Sequence, residues 1–179
     1  MSVLLRLSRA IDWLNARFGV IANWLVLLAC LISAGNAGSR YVFSVSSNGW
    51  LEIQWYMFGA MVLLGAPYTL KANEHVRVDL IYGLASERAR IWIDIVGGLL
   101  FLLPICAILI YFTWPWFVDS WKINEVSANA GGLVRWPVKL MLPVGFALLA
   151  LQGVSEIIKR VAALEHLVDT EFKYEKPLQ

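Results

Sequence analysis

The chain has 179 residues, of which 59% are hydrophobic and 16% are charged, and its mean hydropathy is +0.65. Soluble domains are nearer half apolar and a quarter charged, so this composition excludes a disordered or collagen-like chain and argues against an ordinary soluble domain. A net charge of +2, with basic residues scattered along the chain, also argues against a nucleic-acid surface. The composition favours an integral membrane protein.

Residues 1–17 are predicted to form an amphipathic helix on the cytoplasmic side of the membrane. Apolar residues recur there at helical spacing, at Leu4, Leu7, Ile11 and Leu14. Arg6 and Arg9 fall on other faces of the same helix. Such a helix either lies on the membrane surface or extends the first spanning helix.

Four stretches that follow are long and apolar enough to cross a membrane, which takes about 20 mostly apolar residues. They cover residues 18–39, 50–70, 91–118 and 136–158. The predicted fold class is an all-α integral membrane protein, with a four-helix transmembrane domain over residues 18–160 and a cytoplasmic tail over residues 161–179. Pro104, near the middle of the third stretch, predicts a kink because proline removes a helical hydrogen bond.

The distribution of positive charge predicts the orientation of the four spans. Most of the 15 basic residues lie in the N-terminal segment, in the loop after the second span, or in the C-terminal tail. Because Lys and Arg concentrate on the cytoplasmic side, both termini are predicted to be cytoplasmic. The loop between the third and fourth spans then lies outside, and the pair Gly131 and Gly132 predicts a tight turn in it.

Two carboxylates near the ends of the predicted spans are candidates for chemistry. Glu52 lies at the outer end of the second span, and Asp94 lies about one turn into the third. One interpretation is a proton or ion relay, because ionisable residues within a bilayer are often functional. The other is a pair of interfacial carboxylates with basic partners, since Arg90 lies four residues before Asp94 on the same helix face.

The residues do not predict a cofactor or metal site. Cys30 and Cys106 lie in apolar runs without metal-binding spacing and are expected to be buried, inert thiols. Glu74, His75 and Asp79 are ligand-type residues on the short inner loop, but that loop is better explained by contact with a partner or with the adjoining spans. No GxSxG, HExxH or P-loop motif occurs, so no catalytic constellation is predicted.

Small residues on one side of the first span predict a packing face, because they let helix backbones approach closely. They form two rows at four-residue spacing, Ala29, Ser33 and Ala37 beside Cys30, Ala34 and Gly38. Asn23 and Asn36 in the same span favour hydrogen bonds to a neighbouring helix. Whether that neighbour belongs to this chain or to another subunit stays open.

Several short patches recur in a characteristic order along nearly the whole chain. They are RYVF (40–43), LEIQWY (51–56) with GA (59–60), YTLK (68–71), NEHVRVD (73–79), E-x-S (125–127), G-G-L-x-x-W-P-x-K (131–139) and LQG (151–153). With its length and four-span topology, the chain resembles the small, DctQ-like membrane subunit of the tripartite ATP-independent periplasmic (TRAP) transporters.

The resemblance implies a multi-pass protein of the bacterial inner membrane that works in a complex. In this family a large membrane subunit carries the substrate and sodium sites and moves as an elevator, and a periplasmic binding protein delivers the substrate, usually an organic acid. The small subunit resembles a fixed scaffold that braces the large one among the membrane lipids and helps to present a docking surface outside. The resemblance implies neither a cofactor nor a catalytic residue in it.

We derive contact residues for both partners from the resemblance. Contacts with the large subunit are expected at Arg40, Glu52 and Trp55 on the outer side and at His75 and Asp79 on the inner side. Arg40 and Glu52 lie at facing ends of adjacent spans and could also pair with each other. Contacts with the binding protein are expected at Lys122, Glu125 and Arg135.

An alternative of a different class is a self-contained, proton-coupled transporter that works as a homodimer. Glu52 and Asp94 would then be its coupling acids. Uptake by liposomes that contain this chain alone would separate the two hypotheses.

Overall fold

A computed structural model describes residues 2–75 and 82–165, and these residues are almost entirely helical. The helices are α1 (Ser2–Phe43), α2 (Asn48–Ala72), α3 (Glu87–Lys122) and α4 (Trp136–Leu164). The loop before α4 holds an isolated antiparallel bridge between Val126 and Val134. The all-α prediction is therefore confirmed for the described parts of the chain.

Local sequence signals explain where the helices begin and end. The Ser47 hydroxyl accepts a hydrogen bond from the Gly49 amide at the start of α2, and Ser86 does the same for Ala89 at the start of α3. A serine in this position satisfies one of the free amides of the first helical turn. Asn73 ends α2 in the left-handed conformation that commonly closes a helix.

The four helices run alternately up and down, and α4 is the central one. Helix α4 packs against each of α1, α2 and α3, and α1 also packs along α2. The contacts of Ser8 with Ser155 and of Asp94 with Arg160 bring the start of α1, the start of α3 and the end of α4 together. We call this the terminal end, and the opposite end, which carries the loop over residues 123–135, the loop end.

Two glycines let α4 approach its neighbours closely. A Cβ atom on Gly145 would lie 2.7 Å from Cβ of Leu63 and 3.0 Å from its carbonyl oxygen in α2. A Cβ atom on Gly153 would lie 2.7 Å from a side-chain carbon of Leu102 in α3. Helices that meet in this way gain van der Waals contact between their backbones, which favours helix association in membranes.

The sequence predicts a kink at Pro104, and the structure has a π-helical turn over Gly98–Leu102, just before this proline in α3. The Leu103 amide donates to the Gly98 carbonyl, five residues back instead of four. Proline supplies no amide hydrogen, and its ring crowds the carbonyl four residues earlier, so the turn before it widens.

Three of the four helices are long and apolar enough to cross a membrane by length and composition, namely α1, α3 and α4. Helix α2, the second of the four predicted spans, is not among them. It is 25 residues long, but polar residues such as Glu52, Gln54 and Thr69 dilute its apolar character. The expectation of four spans is thus supported for three helices.

The structure distinguishes between the two arrangements considered for the N-terminal segment. Helix α1 continues without interruption from Ser2 to Phe43, so the segment extends the first span. Its polar face also turns inward: Ser8 and Asn15 are buried, whereas Leu4 and Leu7 are exposed. The periodicity is helical as predicted, but the apolar stripe is divided: Leu4 and Leu7 face away from the bundle, whereas Ile11 is buried beside the polar groups that meet α4.

The small-residue rows of α1 mostly face outward. Ala29 is buried, but the other five residues of the two rows are exposed, and Cys30 is one of them. The expectation that both cysteines are buried is therefore wrong for Cys30 and correct for Cys106. Most of the predicted packing face is available to a partner outside this chain.

Candidate functional site

A buried polar network joins α1 to α4 at the terminal end, and Gln152 is at its centre. This side chain has no exposed surface, and its amide nitrogen donates to Asp12 Oδ1 at 2.8 Å and to Glu156 Oε1 at 2.9 Å. Its amide oxygen accepts a hydrogen bond from Asn15 Nδ2 at 2.7 Å. A buried amide with its groups paired in this way fixes the relative position of the two helices.

Ser155 and Lys159, one turn apart on α4, complete the contacts with α1. The Ser155 hydroxyl donates to Asp12 Oδ1 at 2.8 Å and lies 2.7 Å from the Ser8 hydroxyl. Lys159 Nζ lies 3.2 Å from Asp12 Oδ2 and also pairs with Glu156. The Asp12 carboxylate therefore has its partners on α4, even though α4 begins more than a hundred residues later.

Arg160 extends the same network to α3. Its Nε donates to Asp94 Oδ2 at 2.9 Å, and its Nη1 donates to Glu156 Oε2 at 2.7 Å. The Tyr82 hydroxyl donates to the same Asp94 oxygen at 2.9 Å. We call the set of charged and polar side chains at this end the terminal network; its members are Ser8, Asp12, Asn15, Tyr82, Asp94, Gln152, Ser155, Glu156, Lys159 and Arg160.

The basic partner of Asp94 differs from the one expected from sequence. We expected Arg90, but Asp94 pairs with Arg160 on α4. Arg90 donates to the carbonyls of Tyr82 and Gly83 at 3.1 Å each. The contact therefore connects two helices instead of stabilising one, and its effect is on helix packing.

Ion pairing and hydrogen bonding together explain how the terminal network can be largely buried. Three carboxylates, Asp12, Asp94 and Glu156, share the cations of Lys159 and Arg160, and hydroxyl and amide donors satisfy further oxygen atoms. A buried ion is tolerated when it is paired and hydrogen-bonded, and it becomes costly when one partner is lost. The network therefore holds three helices in one arrangement.

At the loop end, Glu52 binds the backbone of the loop over residues 123–135. It is only 4% exposed, and its Oε2 accepts a hydrogen bond from the Leu133 amide at 2.8 Å. The hydroxyls of Ser127 and Tyr56 lie beside the same carboxylate. Arg40 is exposed and makes no ion pair with Glu52, so the pairing we considered from sequence is absent within this chain.

Glu125, within the loop, forms ion pairs with two basic side chains at the start of α4. It pairs with Lys139 and, at 3.3 Å, with Arg135 Nη1. The hydrogen bond from Lys139 and the charges of Lys139 and Arg135 lower the pKa of Glu125 below its ordinary value of 4.5. Lys139 Nζ also lies 4.2 Å from the ring centre of Trp116, which links the end of α3 to the start of α4.

The turn predicted at the two glycines is confirmed. Gly131 has φ +69°, which suits glycine, and a Cβ atom on Gly132 would lie 2.6 Å from Cβ of Ser127. The Ser127 amide donates to the Leu133 carbonyl at 2.9 Å and closes the loop. We call the arrangement of Glu52, Ser127, Leu133, Glu125, Arg135 and Lys139 the loop clamp.

The residues expected to contact the large subunit differ in exposure where the structure describes them. Arg40 and Trp55 are exposed, while Glu52 belongs to the loop clamp. His75 is exposed at the terminal end, and Asp79 lies outside the described residues. Those expected to contact the binding protein lie in or next to the loop over residues 123–135. The Lys122 side chain is 67% exposed and that of Arg135 48%, whereas Glu125 is engaged within the loop clamp.

Sequence reasoning missed most of the terminal network. Gln152, Glu156 and Arg160 recur at four-residue spacing on α4, as Ser8 and Asp12 do on α1. Each set forms a polar stripe on a helix, and these stripes were the available signal. Within residues 2–75 and 82–165, no group of three metal-ligating side chains is close enough to hold a metal ion.

A family model described as "Tripartite ATP-independent periplasmic transporters, DctQ component" matches residues 29–163. No curated protein and no solved structure gave a significant match. The matched region begins in the middle of α1 and ends near the end of α4. It includes the loop clamp and the α3 and α4 parts of the terminal network, but not Ser8, Asp12 or Asn15.

Proposed function

The chain belongs to the DctQ component family of the tripartite ATP-independent periplasmic transporters, and on that premise we propose that it is a rigid brace for the large membrane subunit. In this role it stays fixed while the large subunit moves, and it carries neither the substrate nor the coupling ion. The transport that it supports is proposed to be sodium-coupled uptake of an organic acid.

The observation that carries this proposal is that Glu52 and Asp94, the two candidate coupling acids, are engaged in contacts between elements of this chain. Glu52 binds the loop, and Asp94 binds Arg160 and Tyr82. These two carboxylates lie at opposite ends of the bundle. A coupling acid has to exchange its partners during transport, whereas an acid that joins two helices favours a single arrangement.

Exposed apolar surface supports the idea that this chain packs against a larger membrane protein. Helix α3 packs mainly on α4, and large side chains on its other faces are exposed, including Phe101, Tyr111 and Phe112. The outward small residues of α1 offer a second close-packing face. We propose Trp55 and His75 as contact residues, together with Asp79 on the inner loop.

We propose that the loop end faces the periplasm and that both termini lie in the cytoplasm of a bacterium. Helix α2 is the fourth crossing in this arrangement. Its 25 residues extend about 38 Å at 1.5 Å each, which is enough to cross the hydrocarbon core. The exposed cations Lys122 and Arg135 then lie where a periplasmic binding protein can dock, and Glu125 keeps the loop in shape beneath them.

Copurification tests the partnership. A tagged chain taken from its native membrane in mild detergent should carry a much larger polytopic protein in constant ratio, identified by mass spectrometry. Recovery of a homo-oligomer without such a protein would contradict the proposed partnership.

Reconstitution tests the mechanism. Liposomes holding this chain together with its large subunit and binding protein should take up substrate in a sodium gradient, and liposomes holding this chain alone should not. Uptake by the chain alone that is lost in Glu52→Gln would instead establish the proton-coupled transporter. The matched control is Glu87→Gln, which alters a carboxylate in the first turn of α3.

A further inference from the structure

A groove at the loop end runs between the last turns of α1 and the start of α2. It has a volume of about 400 Å³, and its lining is mainly apolar. The lining residues are Leu31, Ile32, Gly35, Asn36, Ser39, Val45, Ser47 and Trp50. Its polar side chains, Asn36, Ser39 and Ser47, lie toward the end of α1 and in the connection to α2. The groove is therefore mainly apolar, with a polar end near this connection that we call its mouth.

A cation lies one helical turn beyond the lining residue Asn36, near the end of α1. Ile32, Asn36 and Arg40 follow one another at four-residue spacing, so Arg40 continues a row of groove residues on the same face of α1. Arg40 is exposed and, among the residues that the structure describes, makes no ion pair. Tyr41 and Trp50 beside it are 90% and 53% exposed, and aromatic rings of this kind prefer the depth of lipid headgroups.

We propose that this groove binds one anionic phospholipid, with an acyl chain along the groove and the phosphate at Arg40. An arginine guanidinium binds phosphate oxygens with two parallel hydrogen bonds, and its charge favours a lipid with a net negative headgroup. Basic sites between membrane helices bind lipid headgroups in the same way. The resemblance suggested Arg40 as a contact for the large subunit; its position one turn beyond the groove favours a lipid contact instead.

The size of the groove favours a lipid over a helix of a protein partner. A helix with side chains is about 10 Å wide and rises 5.4 Å per turn, so a single turn fills about 400 Å³. A groove of this volume therefore accommodates only about one turn of a helix, whereas an acyl chain is narrow enough to lie along it. The polar mouth also needs a polar occupant, and a phospholipid has an apolar chain and a charged head in one molecule.

The proposal is tested on the purified chain alone by native mass spectrometry, with phosphatidylglycerol added and phosphatidylcholine as the zwitterionic comparison. The wild-type chain should retain one phosphatidylglycerol in preference to phosphatidylcholine. Arg40→Gln should lower that retention about fivefold, as expected for one basic residue near an anionic surface. Arg6→Gln, which alters an exposed arginine at the terminal end, is the matched control and should retain the lipid as the wild type does.

A second variant fills the groove without changing any charge. A Cβ atom on Gly35 meets nothing within 4 Å, so Gly35→Leu is accommodated and should occupy the space of the acyl chain. Helical content and melting temperature, followed by circular dichroism, should match those of the wild type in both variants. Loss of lipid in both variants with folding intact supports the proposal.

Three results would overturn it: no preference for phosphatidylglycerol in the wild-type chain, unchanged retention in both variants, or an equal loss in Arg6→Gln. If the groove instead binds a helix of the large subunit, Gly35→Leu would abolish copurification of that subunit while lipid retention stayed unchanged. Because lipid binding is measured on the chain alone, its failure is separate from failure of the proposed brace.

Discussion

The buried carboxylate of Glu52 shows how one residue can hold a loop in place. The carboxylate lies in α2, yet its hydrogen-bond partner is the Leu133 amide, 81 residues later. A buried backbone amide that loses its acceptor is costly, because it has no water to replace the bond. Glu52 therefore stabilises the conformation of the loop end. This contact favours the structural interpretation of Glu52 over a relay role.

We predict that Glu52→Ala loosens the loop over residues 123–135 without unfolding the bundle. The Leu133 amide should exchange its hydrogen roughly fivefold faster, as expected when one buried hydrogen bond is lost. Hydrogen–deuterium exchange with mass spectrometry measures this directly. Glu87→Ala is the control at the start of α3, and equal protection of the loop in both variants would show that Glu52 does not hold it.

Glu125 gives the loop clamp a dependence on pH. Because the folded state lowers its pKa below 4.5, the ionised form stabilises the fold. This stabilisation is fully present above pH 4.5 and is lost as the pH falls through the lowered pKa. The loop clamp should therefore be intact at neutral pH and weaken only in acid.

The pKa of Glu125 is measurable by carbon-13 NMR of labelled glutamate side chains in detergent micelles. It should lie below 4.5 in the wild type and move up in Lys139→Met, because that variant removes the donor and the nearest charge. Lys122→Met is the matched control, since Lys122 lies near Asp119 instead. A wild-type pKa at or above 4.5 would contradict the role assigned to Lys139.

At the scale of helices, close contact with α4 depends on glycine at the contact points. Gly145 faces the backbone of Leu63 in α2, so an added methyl group has no space there. Gly97 in α3 has open space around its Cβ position. The two sites are both helical, and they differ in whether a neighbouring helix is present.

We predict opposite effects for the same substitution at these two sites. Gly145→Ala should destabilise the bundle by about 1–3 kcal/mol, the usual cost of overpacking a well-packed contact. Gly97→Ala should stabilise it by about 0.5–1 kcal/mol, since alanine loses less conformational entropy than glycine in a helix. Thermal unfolding followed by circular dichroism measures both, and destabilisation of similar size at the two sites would contradict the close α2–α4 contact.

The bundle as a whole depends on the N-terminal segment, which the sequence patterns had placed outside the membrane domain. Asp12 and Asn15 supply partners to Gln152, Ser155 and Lys159. Removing the segment leaves Lys159 without Asp12 and leaves the Gln152 amide with one acceptor fewer. The segment is thus part of the packed structure.

We predict that deletion of residues 2–16 lowers the stability of the bundle by roughly 3 kcal/mol, in the range found when one partner of a buried ion pair is lost. The double variant Arg6→Gln with Arg9→Gln changes only exposed side chains and should unfold at the wild-type temperature. Thermal unfolding of the purified chain distinguishes the two. An independent surface helix, the other arrangement considered from the sequence, would be removed without loss of stability.

The sequence by itself determined the class of the protein, its long apolar helices, the distortion at Pro104, the glycine turn and, through the ordered patches, the family. These features are local, because composition, hydrogen-bond loss at proline and turn geometry depend on residues close in the chain. Only the tertiary structure decided which face of α1 turns inward, which base pairs with Asp94, and that Glu52 binds the loop. Helical periodicity shows which residues share a face, but what that face meets is set by a helix that lies far away in the sequence.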